Sequence, residues 1–342
     1  MENYSVKSAS KAFLWAMFLP LILGFVITIV LSLFYKDAES LQKSWVYIFA
    51  CVIVAQVAFA IIYLRFIKKN KINIKTEVIK QTKTFSFKNA LFCVLISVIA
   101  IFGLFYFVGL FDVLFGYLGY VPEESILPNN TILWLLVNIL LSAVLPAIFE
   151  ELIFRSVIFR GLKNKGFWFA CIVSSIMFML VHLSLGSVVY PILMGIIFCL
   201  IVKKTGSVVY SAIVHFCNNS IALIIQYIQN ANGINLFPPA SLWWQVLLAI
   251  LVAALSYGLI LLIIKFCLKN KTENDSIISV DGDNVKEVLI SQDAKSENEN
   301  SEENKEVLQN SSSSQNPYLS ENAMVLYSVL IGFAFWLIML IV

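Results

Sequence analysis

The chain has 342 residues, 60% hydrophobic and only 13% charged, with a formal net charge of +3. Soluble domains average about 45–50% apolar and about 25% charged residues, so a water-soluble globule is excluded. The apolar residues come in blocks of about 20, the length that crosses about 30 Å of hydrocarbon as a helix.

Backbone polar groups in lipid must be paired within the segment, which favours helices, and the blocks lack the alternation of barrel strands. The expected fold class is all-α, a polytopic transmembrane bundle of about eight core spans plus a ninth at the C-terminal end. In chain order the spans are 12–35, 45–64, 89–110, 134–162, 166–184, 187–202, 207–229, 242–266 and 323–342. The first is longer than the 7–15-residue core of a cleavable signal, so no signal peptide is expected. No repeat of fixed period is present.

Orientation follows from lysine and arginine, which collect on the cytoplasmic side. The segment after the second span carries Arg65, Lys68, Lys69, Lys71, Lys75, Lys80, Lys83 and Lys88 against a single acid, Glu77. With this segment inside, Lys7, Lys11, Lys163, Lys165, Lys203, Lys204, Lys269 and Lys271 also fall inside, and loops 111–130 and 230–241 contain no lysine or arginine. The N-terminus is then cytoplasmic and the C-terminus lies outside. The abundance of Lys, Asn and Ile points to an AT-rich genome and so to a bacterial cell membrane.

Four regions follow. Residues 1–88 hold the N-terminal spans and the basic segment, and residues 89–268 hold the core. Residues 269–320 are rich in Ser, Asn, Glu and Asp, including the run Ser311–Ser314. They have too little apolar surface to offset ordering entropy and are expected to form a disordered acidic linker. Residues 321–342 form the last span. The six cysteines (Cys51, Cys93, Cys171, Cys199, Cys217 and Cys267) include no CxxC pair and read as small buried hydrophobes.

Ionisable groups inside a bilayer are costly, so each raises a functional question. The fourth span contains Glu150, Glu151 and Arg155. The fifth ends in Phe178 and His182. The seventh carries Ser211, His215, Asn218 and Asn219. Both histidines of the chain lie in spans, and histidine suits proton transfer and metal ligation.

The helical rise puts Glu150 about 20 Å from the cytoplasmic end of its span, His182 about 24 Å, His215 about 17 Å and Asn219 about 23 Å. Three helices thus bring polar groups to one level near mid-membrane. Residues four apart share a helix face, so Glu151 and Arg155 read as a structural pair that leaves Glu150 free. His215 and Asn219 share one stripe.

The ordered set Glu150-Glu151-x-x-x-Arg155, Phe178-x-x-x-His182 and His215-x-x-x-Asn219 resembles the three motifs of the CPBP family of intramembrane proteases, which includes the Ras-converting CAAX endopeptidases and bacterial bacteriocin-processing (Abi-like) relatives. The resemblance covers about residues 90–265. It implies an intramembrane endopeptidase acting on a membrane-associated peptide or protein, with no nucleic-acid partner.

Carried over by motif position, Glu150 activates water and His182 holds that water or ligates a metal. His215 and Asn219 stabilise the oxyanion or supply further ligands. Glu151, Arg155 and Phe178 support them. Family members are described both as metalloproteases and as metal-independent, so a divalent metal such as zinc on Glu150, His182 and His215 stays open. HExxH is absent. Two other readings stand beside it: a non-catalytic bacteriocin immunity, resistance or scaffold protein, and a transporter. The latter is disfavoured by the lack of internal duplication.

Overall fold

The computed structural model describes residues 4–73, 85–117, 119–120, 130–186, 188–234, 243–268 and 317–341. Among these residues there is no strand. The chain divides into two compact units, Met1–Asn270 with Met324–Val342, and Lys271–Ala323. Of the second unit only residues 317–323 are described, so the expected acidic linker lies outside the described residues up to 316, as does 74–84 of the basic segment.

Ten helices are described: α1 (Val6–Ser32), the short α2 (Ala38–Gln42), α3 (Trp45–Lys69), α4 (Phe87–Tyr117), α5 (Ile132–Lys165), α6 (Phe167–Leu180), α7 (Val189–Thr205), α8 (Val208–Asn232), α9 (Trp243–Cys267) and α10 (Pro317–Ile341). Starts are set by side-chain caps. Ser5, Ser44, Thr131 and Ser207 each accept a backbone N–H of the first turn, satisfying donors that have no partner within the helix. Gly206 and Gly233 end α7 and α8 at φ 71° and 64°, a left-handed backbone that glycine adopts without steric cost.

Among the described residues seven helices are long and apolar enough to cross a membrane: α1, α3, α4, α5, α8, α9 and the 321–339 part of α10. Their outward faces are apolar, with Phe25, Leu64, Leu136 and Leu255 all exposed. Such a surface is stable in lipid and not in water. The protein is therefore an all-α, polytopic integral membrane protein.

The fifth expected span is shorter in the structure, and the sixth is shifted a few residues toward the C-terminus. α6 has 14 residues and α7 has 17, so they rise about 21 and 26 Å. The two pack against each other. At their crossing a Cβ on Gly195 would lie 2.8 Å from the Ser175 side chain, so only glycine permits this approach.

α1 packs on α3 and on the second half of α5, α3 also meets the middle of α5, and α4 lies between α8 and α9. Phe335 of α10 meets Phe18 of α1 edge-on, ring centroids 5.1 Å apart. α5 thus runs through the middle of the bundle, with α3, α6, α7 and α8 around it.

Candidate active site

The polar centre begins with an irregularity in α5. Two π-helical stretches, Leu140–Val144 and Leu152–Phe159, flank the regular turns Leu145–Glu151. Such wide turns are rare and recur at functional sites. Pro146 lies between them and has no N–H to give to the carbonyl four residues earlier, Ser142. Asn219 of α8 supplies the missing donor: its Nδ2 donates to Ser142 O at 3.0 Å. One N–H of the Asn219 amide is spent this way, and an amide nitrogen carries two.

Adjacent residues on a helix point about 100° apart, and the two glutamates take different surroundings accordingly. Glu151 is fully buried and Glu150 part-buried. Glu151 Oε2 lies 3.4 Å from Arg155 Nε. The Arg155 guanidinium, also fully buried, sits over the rings of Phe178 and Phe198 at 4.7 and 5.0 Å. Flat aromatic faces attract a cation and exclude water, which suits a planar guanidinium.

His215 stands between the two carboxylates. Its Nδ1 is 3.3 Å from Glu151 Oε1 and its Nε2 is 3.8 Å from Glu150 Oε2. Its ring stacks on Phe198, centroids 5.3 Å apart at 20°. Glu151 therefore contacts both Arg155 and His215, and fixes which edge of the imidazole faces Glu150.

His182 differs from expectation in its setting. α6 stops at Leu180, so His182 is on the turn beyond the helix rather than within it, and it is exposed. The cause is local. The chain turns with the His182 N–H donating to Met179 O, and Leu183 takes a left-handed φ of 50°. His182 Nδ1 then lies 2.8 Å from Phe178 O. A carbonyl only accepts, so Nδ1 carries the proton and Nε2 keeps its lone pair. The ring of Phe178 also meets those of His182 and His215 at 4.9 and 5.9 Å, which gives Phe178 its place at the centre.

Glu150, His182, His215 and Asn219 line one cavity of about 480 Å³. Its other walls are largely apolar, among them Val52, Pro146, Met194 and Phe198. Small-molecule and peptide sites have this character, apolar walls with a few convergent polar groups.

Residues 132–221 match the family model described as Type II CAAX prenyl endopeptidase Rce1-like. This segment is similar to the CAAX endopeptidases that the model describes. It spans about a quarter of the chain, from the start of α5 into α8, and contains all seven motif residues. Comparison with curated proteins and with solved structures gives no match.

Within the matched segment, sequence reasoning left Ser142, Tyr190 and Asn218 without a role, and all three line the cavity. The Tyr190 hydroxyl donates to Asn218 Oδ1. Outside it, Gln56 of α3 was missed. It is buried, and its Nε2 donates to Glu150 Oε1 at 3.4 Å. A signal was present, since Gln56 is the one amide in the 45–64 block.

A metal on Glu150, His182 and His215 would need their donors to converge. Among the described residues no three His, Cys, Asp or Glu side chains come together in that way. The Nδ1 contacts, His215 to Glu151 and His182 to the Phe178 carbonyl, are ones a metal-ligating histidine also makes, so it is the spread of the donors that does not fit. As arranged, these side chains do not fit a preformed three-ligand site.

Proposed function

We propose that the protein is an intramembrane endopeptidase that hydrolyses a peptide bond of a membrane-associated peptide or protein, with Glu150 as the base that activates water. The observation that carries this reading is the meeting of Glu150, His182, His215 and Asn219 on one cavity.

The steps follow from the donors and acceptors. A water accepted into the cavity gives a proton to Glu150 and a hydrogen bond to the lone pair of His182 Nε2. Its oxygen attacks the peptide carbonyl carbon, and the carbonyl oxygen becomes the oxyanion of a tetrahedral intermediate. The second N–H of Asn219 is the donor for that oxyanion, with His215 donating from Nε2 when both its nitrogens are protonated. One such donor in a low-dielectric site is worth about 2.7–4 kcal/mol. Glu150 then passes its proton to the leaving nitrogen as the C–N bond breaks, which yields an amine and a carboxylic acid that releases its own proton to water as a carboxylate. General acid–base work of this kind contributes about 10²–10⁴-fold.

Glu151, Arg155 and Phe178 are positioning residues in this scheme. Glu151 orients His215, and Arg155 balances the buried charge of Glu151. The lysine distribution supports a cytoplasmic N-terminus and the composition supports a bacterial membrane. The family description names prenyl CAAX proteins for its members. For this chain the substrate class we advance is broader, a peptide held at the membrane.

The test is hydrolysis of membrane-anchored quenched peptides in oxygen-18 water. One labelled oxygen in the new carboxylate of the product, lost with Glu150→Gln and with His182→Ala, is the expected result. Cleavage that persists in both variants would refute the assignment.

A further inference from the structure

Gln56, Glu150 and His182 stand on a wall shared by two cavities. Behind the catalytic one lies a smaller space of about 140 Å³, bounded by Met17, Pro20 and Leu21 of α1, Phe59 of α3 and Leu183 after α6. An apolar cavity of about 150 Å³ is large enough to hold a benzene ring. This space therefore matches one leucine- or phenylalanine-sized side chain, and it adjoins the carboxylate that activates water.

Three further features point to an occupant. The Gln56 side chain donates to Glu150 from Nε2, while its Oε1 is buried without a hydrogen-bond partner. A buried unpaired carbonyl is costly, and a peptide N–H is the donor it lacks. Pro20, inside α1, has no N–H for the carbonyl of Ala16, which also lines the space. Leu183 holds a left-handed backbone that costs a non-glycine residue free energy, and strain of this kind collects at functional sites.

We propose that the smaller cavity is a side-chain subsite of the protease. It takes one apolar side chain, of leucine to phenylalanine size, from a residue flanking the scissile bond, and Gln56 Oε1 accepts that residue's backbone N–H. The subsite rests on the hydrolytic reading of Glu150. It assigns specificity to α1 and α3, which lie outside the matched segment 132–221.

The experiment uses full-length protein in lipid vesicles. Cleavage of membrane-anchored quenched peptides is mapped by mass spectrometry. The best substrate is then remade with Ala, Leu or Phe at each residue flanking the cut. Wild type, Glu150→Gln, Leu21→Trp and Met17→Ala are compared by the ratio of kcat/KM values within each preparation, which does not depend on how much protein folds.

Wild type should favour Leu or Phe over Ala at one flank by at least about tenfold. Leu21→Trp should cut that preference by about tenfold, and Met17→Ala should move it toward Phe. Loss of cleavage in Glu150→Gln with unchanged preference in both cavity variants overturns the subsite and leaves the protease reading intact. Cleavage retained by Glu150→Gln, or no cleavage by wild type, overturns the protease reading and the subsite with it.

Discussion

Asn219 donates to the carbonyl of Ser142, the carbonyl that Pro146 cannot pair within its own helix. A side chain of α8 thereby completes the backbone of α5 on the cavity that Glu150 also lines. The same contact fixes the amide that faces the cavity. A helix irregularity and a packing contact are one structural device, and the proposed mechanism takes its oxyanion donor from the same amide.

Asn219→Ala should leave that carbonyl without its donor and lower stability by about 1 kcal/mol, along with loss of cleavage. Pro146→Ala restores a backbone N–H at the break. The double variant Pro146→Ala/Asn219→Ala should regain the stability and not the activity. Thermal unfolding in detergent, paired with peptide cleavage, reads both. Full additivity of the two changes would show that Asn219 and the Pro146 break are independent.

The Glu151–Arg155 pair makes a different claim. Both side chains are fully buried, so removing one leaves the other charge uncompensated, at a cost of about 3–5 kcal/mol. Glu151→Ala and Arg155→Ala should each give little folded, monodisperse protein. Glu151→Leu/Arg155→Met should recover the yield yet stay inactive, because His215 loses the carboxylate on its Nδ1. Normal yield in either single variant would contradict the pairing.

Gln56→Leu separates chemistry from stability. It removes a buried unpaired oxygen, so melting should change little, or rise. It also removes the N–H held on Glu150, and kcat/KM should fall by about tenfold, a magnitude set by one hydrogen bond to a charged group. An unchanged kcat/KM would remove Gln56 from the site.

Because the described side chains form no preformed three-ligand set, cleavage should survive dialysis against a divalent-metal chelator. Activity lost on chelation and restored by zinc would mean that Glu150, His182 and His215 close around a metal once substrate is present.

Much of this was legible in the sequence because lipid makes polarity conspicuous. The long blocks appear as helices, and α5, α6 with the turn after it, and α8 carry the motif residues in the expected order. Gln56 was legible by the same logic and was overlooked because it is uncharged. The contacts that set roles were not readable. That Glu151 turns His215 toward Glu150 depends on α5 and α8 packing across 64 residues of chain. That His182 lies on a turn depends on α6 ending at Leu180, where no glycine or proline marks the stop. The cavity behind Glu150 is built partly by α1, whose sequence offers only apolar residues and one proline there.

The most direct test of Glu150 as the base is single-turnover cleavage by wild type and Glu150→Gln, matched for melting temperature and reconstituted in the same vesicles. The glutamine keeps the size and the contact with Gln56 but cannot take a proton at neutral pH. A loss of about 10²-fold or more is predicted. Cleavage by the glutamine variant within about threefold of wild type, a difference of less than 1 kcal/mol in the barrier, would contradict the mechanism.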